Sequence, residues 1–308
     1  MASHTTLAIE TRALTKRYGR HTALESMDLA VETGSVFGMI GPNGAGKTTT
    51  MRLLLDIIRP TSGEATVLGR SPISGGAALR REIGFLPGEL LLEGRVTGRA
   101  LLKHYAEISG PVATGRIHDL AERLGLDLSR HVRTLSKGNK QKLGLVQAFM
   151  HEPKLLVLDE PTSGLDPLVQ QEFLSMVREA QHNGQTVFLS SHVLSEIQSA
   201  ADQVAVLRNG AIVKVGDVAS LRASAVRRVV VDFTDASAAS IHSALAALPQ
   251  LDNLTITEGD VIQVTGTVEG HIDALVKAIA PFHVVDLRVE EQDLESSVID
   301  LYSKEARK

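Results

Sequence analysis

Apolar residues run in short unbroken blocks through the first two thirds of the chain, with polar residues gathered between them. Ser35-Val36-Phe37-Gly38-Met39-Ile40, Lys154-Leu155-Leu156-Val157-Leu158-Asp159, Thr186-Val187-Phe188-Leu189-Ser190 and Gln203-Val204-Ala205-Val206-Leu207 show no alternation. Blocks of that length and uniformity predict strands covered on both faces. Elsewhere the period becomes helical. Leu101, Leu102, Tyr105 and Ile108 recur at helix spacing in a mainly helical stretch over residues 97–150, broken at Gly110-Pro111. Thr50 to Ile58 predicts a helix halted by Pro60-Thr61-Ser62-Gly63. Residues 7–40 read as short β-type segments separated by turns. Strands of this kind alternating with helices predict an α/β domain built on a parallel sheet.

The character changes after about Leu221. Arg228 to Phe233, Leu254 to Thr257, Val261 to Thr267 and His283 to Val289 read as strands, and Ser237 to Leu248 and Gly270 to Ala280 as helices. That order, β-α-β-β-α-β, predicts a small ferredoxin-like α+β domain. A terminal helix is expected over Leu294 to Tyr302. The domains expected are therefore 1–221, with a helical part at about 90–152, and 222–308.

Composition narrows the chemistry. The 308 residues include no cysteine, which excludes disulfides, thiolate metal sites and a cysteine nucleophile together. The 11 histidines never fall at close metal-ligand spacing. No apolar run approaches the ~20 residues that span a bilayer, and the first ten residues carry no secretory pattern. Residues 223–308 are acidic, with 7 Lys+Arg against 14 Asp+Glu, while the preceding part is almost neutral. With no basic stripe, no nucleic-acid partner is expected.

The clearest chemical signal is Gly41-Pro42-Asn43-Gly44-Ala45-Gly46-Lys47-Thr48, a G-x-x-x-x-G-K-[ST] loop between a predicted strand and a predicted helix. Glycines let successive backbone N–H groups wrap phosphate oxygens, and the helix N-terminus adds positive potential. Lys47 is placed to reach β- and γ-phosphates, and the Thr48 hydroxyl to ligate Mg²⁺. Asp159 ends an apolar strand, where a carboxylate can meet the same metal. Glu160 follows it and is free to deprotonate a water.

Further segments carry a resemblance. Leu135-Ser136-Lys137-Gly138-Asn139 is similar to the LSGGQ signature of ABC transporter ATP-binding subunits. Leu155 to Thr162 resembles their Walker B strand with its catalytic glutamate, Ser163-Gly164-Leu165-Asp166 their D-loop, and Ser190-Ser191-His192 their switch histidine. The resemblance covers residues 7–220 and rests on five motifs in order. It implies a P-loop ATPase domain of the ABC type, with a parallel-sheet core, a β-rich N-terminal part and a helical subdomain. It also implies that two copies pair head to tail around two ATP molecules. Nucleotide contacts would then come from Tyr18 on adenine, from Gly41, Asn43, Gly44, Ala45, Gly46, Lys47, Thr48 and Thr49, and from Ser136, Gly138 and Asp166 across the dimer. Thr48 and Asp159 would hold Mg²⁺, while Glu160, His192 and Lys47 would carry catalysis.

The LSKG form of the signature resembles bacterial exporters of drugs, antibiotics and sodium, whose membrane subunits are separate chains. The resemblance thus implies an ATPase motor working through a transmembrane permease, cytoplasmic and peripheral on the inner face of the cell membrane. One departure stands out. The family places a glutamine after the strand at Ile83 to Leu86, and here Gly88 and Glu89 occupy that turn. They are expected to form the hinge to the helical region and the partner, with weaker metal coupling, and Leu90, Leu91 and Leu92 follow either as candidate docking residues or as the edge of a core strand or helix. The alternatives are a soluble ABC-type ATPase of translation or DNA repair, and a nucleotide-gated binding module with little turnover. The first is disfavoured by a single phosphate loop and by the 89 residues from Lys47 to Ser136, too few for a long coiled coil.

Overall fold

The computed structural model describes residues 6–90, 92, 94–218 and 226–291. Leu91, the boundary expected at 221 and the helix expected over 294–302 lie outside the described residues. The chain divides into two compact units, residues 1–216 and 217–308.

The first unit opens with β1 (Leu7–Tyr18), β2 (His21–Glu32) and β3 (Val36–Ile40), then α1 (Lys47–Leu54), β4 (Ser62–Val67), α2 (Pro72–Arg80) and β5 (Ile83–Leu86). The helical part holds α3 (Gly98–Ser109), α4 (Arg116–Arg123), a 3-10 turn (Val132–Thr134) and α5 (Lys137–Phe149). Then come β6 (Leu155–Asp159), α6 (Pro167–His182), β7 (Thr186–Ser191), α7 (Leu194–Ala200), β8 (Gln203–Arg208) and β9 (Ala211–Asp217).

Six strands form one sheet in the order β5-β6-β7-β3-β8-β9, and the pairs β5–β6, β6–β7, β7–β3 and β3–β8 are parallel. Every residue of β3, β6 and β7 is buried, as their unbroken apolar sequence predicts for strands covered on both faces. An antiparallel sheet, β2-β1-β4, lies beside it. Ile9, Leu14, Leu24 and Met27 from that sheet share one core with Phe37, Met39, Met51, Val157 and Phe188.

Two expectations are corrected. Residues 7–40 form two strands of twelve residues each and a short third, not a series of short pieces. Ala13 and Ser26 take left-handed backbone at φ 48° and 47°, and the pairing shifts register around them. These bulges interrupt the alternation and mimic turns. The helix expected from Thr50 starts at Lys47 and ends at Leu54, two residues before the left-handed Asp56, and Ser62-Gly63 open β4 instead of stopping a helix.

The second unit contains β10 (Val226–Thr234), α8 (Ala238–Leu245), β11 (Leu251–Glu258), β12 (Ile262–Glu269), α9 (Asp273–Ile279) and β13 (His283–Glu291). Its sheet runs β11-β12-β10-β13 with every pairing antiparallel. Val229, Val231 and Phe233 face Ile241 and Leu245 of α8 and Leu275 and Ile279 of α9 in a core of their own.

Candidate functional site

The loop between β3 and α1 can be built only with glycine at its last turn. Gly46 caps α1 at φ 113°, and a Cβ there would lie 2.8 Å from the Ala23 carbonyl and 2.7 Å from a Leu24 methyl. The first turn of α1 carries no acidic residue of its own to offset its N-terminal potential. Asn43, Gly44, Ala45, Gly46, Lys47, Thr48 and Thr49 line an open cavity of about 290 Å³, together with Tyr18, His21 and Glu160. Tyr18, at the end of β1, is half exposed, with Lys16 Nζ 5.0 Å from its ring centre. Gly41 contributes its carbonyl, which accepts from Lys47 Nζ at 2.6 Å.

Parallel pairing of β6 with β7 sets Asp159 opposite Ser190. The buried Asp159 carboxylate is held on both oxygens: Oδ1 accepts from Ser190 Oγ at 2.6 Å and Oδ2 from Thr48 Oγ1 at 2.7 Å. Ser190 Oγ also accepts from the Glu160 N–H at 3.1 Å. Glu160 stands at φ 48°, a left-handed conformation uncommon for its type. Its Oε1 lies 3.2 Å from Lys47 Nζ and its Oε2 2.7 Å from His192 Nδ1. One connected set thus contains Lys47, Thr48, Asp159, Glu160 and His192. Ser190 is a member that the sequence reading missed; the signal lay in a hydroxyl ending an apolar strand beside the strand that ends in Asp159.

A second cluster lies outside that cavity. Ser136 caps α5, accepting from the Asn139 N–H at 3.3 Å, and Asp166 caps α6, accepting from the Val169 N–H at 3.1 Å. α5 begins at Lys137, inside the signature segment. A Cβ on Gly138 would sit 2.6 Å from the Gly164 carbonyl, so the two loops touch backbone to backbone. Buried Gln141, also missed, ties the clusters: its Nε2 donates to the carbonyls of Glu160 at 3.2 Å and Pro161 at 3.0 Å.

Gly88 faces the first cluster, since a Cβ there would lie 3.0 Å from Asp159 Oδ2. Glu89 instead lines a groove with Lys137, Lys140 and Gln141. Leu90 is committed to packing, its methyls reaching the space where a Gly144 side chain would stand.

Comparison with known proteins identifies the family. The profile described as ABC transporter matches residues 24–163. The chain is 34% identical over 256 residues to the bacitracin transport ATP-binding protein BcrA of Enterococcus faecalis, covering 82% of each chain. It is 36% identical to BcrA of Bacillus licheniformis, over 67% of this chain and 68% of that protein. The chain belongs to the ABC transporter family. Within it, this is an ATP-binding and ATP-hydrolysing subunit, the motor of a transporter; the translation and repair reading falls. A solved ATP-binding subunit of an ABC transporter superposes with TM-score 0.65 at 30% identity, over 70% of this chain and 92% of that one. The dimeric cassette MJ0796 bound to ADP and Pi, at 19% identity and TM-score 0.63, shares the fold. Among the described residues of this ABC subunit, no helix is long and apolar enough to cross a membrane.

Proposed function

We propose that this subunit drives export through a separate transmembrane permease, closing with a second copy of itself around ATP and reopening after hydrolysis. The observation that carries the proposal is the division of the site. Lys47, Thr48, Asp159, Glu160 and His192 gather at the phosphate loop, while Ser136, Gly138 and Asp166 stand apart in a cluster that the cavity does not include. A half-site of each kind is what a head-to-tail pair completes.

In this reading Tyr18 stacks on adenine, and the backbone of residues 41–49 wraps the phosphates. Thr48 Oγ1 and Asp159 Oδ2 are hard oxygen donors 2.7 Å apart, which suits Mg²⁺ completed by waters and phosphate oxygens. When bound, that ion neutralises charge on the β- and γ-phosphates. The triphosphate draws Lys47 away from Glu160. Glu160 Oε1, released from Lys47, then takes a proton from water as the water oxygen bonds to the γ-phosphorus and the bond to the β–γ bridging oxygen breaks. His192, paired to the same carboxylate, orients that water and the γ-phosphate. ADP and inorganic phosphate leave the interface without the bond that joined its halves, and the pair separates.

The partner chain would hold the protein on the inner face of the membrane, with the turn at Gly88 and Glu89 as the hinge toward it. The second unit reads as ferredoxin-like, supported by the strand order β11-β12-β10-β13, and as a brace for the homodimer. Light scattering on a Glu160→Gln chain tests the proposal. ATP should convert it to a dimer while hydrolysis is lost, and a chain that stays monomeric in saturating ATP overturns the reading.

A further inference from the structure

We propose that Arg123 is a positioning residue for ATP hydrolysis: it locks the helical part that carries the signature onto the helix that begins at the D-loop. The proposal rests on the dimeric reading above, in which Ser136 and Asp166 act on the partner's nucleotide.

Arg123 is the last residue of α4 and commits its whole guanidinium to α6. Nε donates to Glu172 Oε1 at 2.6 Å, and Nη1 and Nη2 donate to the two oxygens of Glu179 at 2.7 Å each. Glu172 and Glu179 are seven residues apart, two helical turns, and so share a face of α6. The Arg123 side chain is about three-quarters shielded, and this forked geometry is the strong, directional form of an ion pair. Arg123 in turn holds the Glu179 carboxyl below its ordinary range.

The other end of the same assembly is already fixed. At the site, the backbone at Gly138 rests on the Gly164 carbonyl and Gln141 holds the carbonyls of Glu160 and Pro161. Those contacts act within a few residues of Asp166, where α6 starts. Alone they form a pivot. Glu179 lies ~20 Å further along α6 at 1.5 Å per residue, so Arg123 adds the distant anchor that sets the angle. The Phe149–Phe173 edge contact, with centroids 6.5 Å apart, lies between the two. With both ends held in the ATP-closed pair, signature and D-loop reach the partner's nucleotide in register. Lysine cannot replace the fork, because a point charge satisfies one carboxylate oxygen at a time.

The test uses the full chain with Arg123→Ala, Arg123→Lys and Glu179→Gln. Nucleotide binding in one copy involves none of these residues, so the affinity for a fluorescent ATP analogue, measured on the monomer, stays at the parental value. Turnover, kcat, should fall about fivefold or more in Arg123→Ala and be only partly restored in Arg123→Lys. In a Glu160→Gln background, the ATP concentration that half-forms the dimer should rise by a similar factor. A kcat within about twofold of the parent overturns the proposal, and so does a parallel loss of melting temperature, analogue binding and kcat, which marks a merely structural role. Should Arg123→Ala fail to fold, Glu179→Gln decides by the same readouts, since it removes only a charge. Failure of the Glu160→Gln parent to dimerise would refute the dimeric reading separately, and the kcat comparison still decides the role of Arg123.

Discussion

Replacing Ser190 with alanine removes one hydroxyl from the end of β7, and two neighbours lose a partner together. Ser190 Oγ donates to Asp159 Oδ1 at 2.6 Å and accepts from the Glu160 N–H at 3.1 Å, and both Ser190 and Asp159 are buried. A hydrogen bond to a charged group contributes ~1.5–3 kcal/mol, and a buried donor left unpaired costs ~1–3 kcal/mol. Thr48 still holds the other oxygen of Asp159, so the two losses overlap and the expected destabilisation is ~2–4 kcal/mol. For a unit of this size 1 kcal/mol moves the melting temperature ~2–4 °C, which gives a fall of ~5–15 °C. Differential scanning calorimetry on the full chain follows the transition of the first unit directly. The same variant loosens the Asp159 carboxylate and the backbone of Glu160; with Asp159 holding Mg²⁺ as proposed, kcat should drop ~10–100-fold, the usual effect of losing the group that orients such a carboxylate. A Ser190→Ala chain melting within ~1 °C of the parent, with unchanged Mg²⁺-dependent hydrolysis, would refute the reasoning.

Gly88→Ala should press a methyl to within 3.0 Å of Asp159 Oδ2; the Mg²⁺ concentration for half-maximal hydrolysis is expected to rise ~10-fold, read from a metal titration at saturating ATP. Tyr18→Ala should raise KM for ATP ~5–150-fold with little change in kcat, the value of one base–aromatic stack at ~1–3 kcal/mol; unchanged KM in steady-state assays would remove Tyr18 from the adenine site. Burial holds the His151 imidazole below its ordinary 6.5. The unfolded chain therefore binds a proton near pH 6.5 that the folded chain refuses, and stability is lost as pH falls below that value. Urea midpoints measured across this range should fall less steeply in His151→Gln than in the parent.

Local chemistry was legible and long-range geometry was not. The phosphate loop reads from eight consecutive residues because its demands, glycines for backbone approach and a lysine at the helix start, are all local. Apolar runs such as Leu155 to Leu158 reveal a parallel core for a similar reason: burial on both faces leaves no polar alternation to read. Ser190 and Gln141 escaped because their partners are 31 residues and 19 to 20 residues away, joined by strand register and helix packing. The long strands β1 and β2 were cut short in the reading because their bulges place Ala13 and Ser26 in left-handed backbone, which has no mark in those residue types. α2 escaped because it contains Gly75 and Gly76, poor helix formers, and Gly76 breaks it at φ 55°.

The left-handed backbone of Glu160 is a cost that its side chain more than offsets. Glycine would relieve a left-handed turn of about 1 kcal/mol, but it would also delete the carboxylate that bridges Lys47 and His192. That deletion would strip the buried Lys47 of its carboxylate, which costs more than the turn returns, and on the proposed mechanism the chain would not turn over. Engineers raising the thermal tolerance of this protein should exclude position 160 from their libraries and look to exposed loops for their gains.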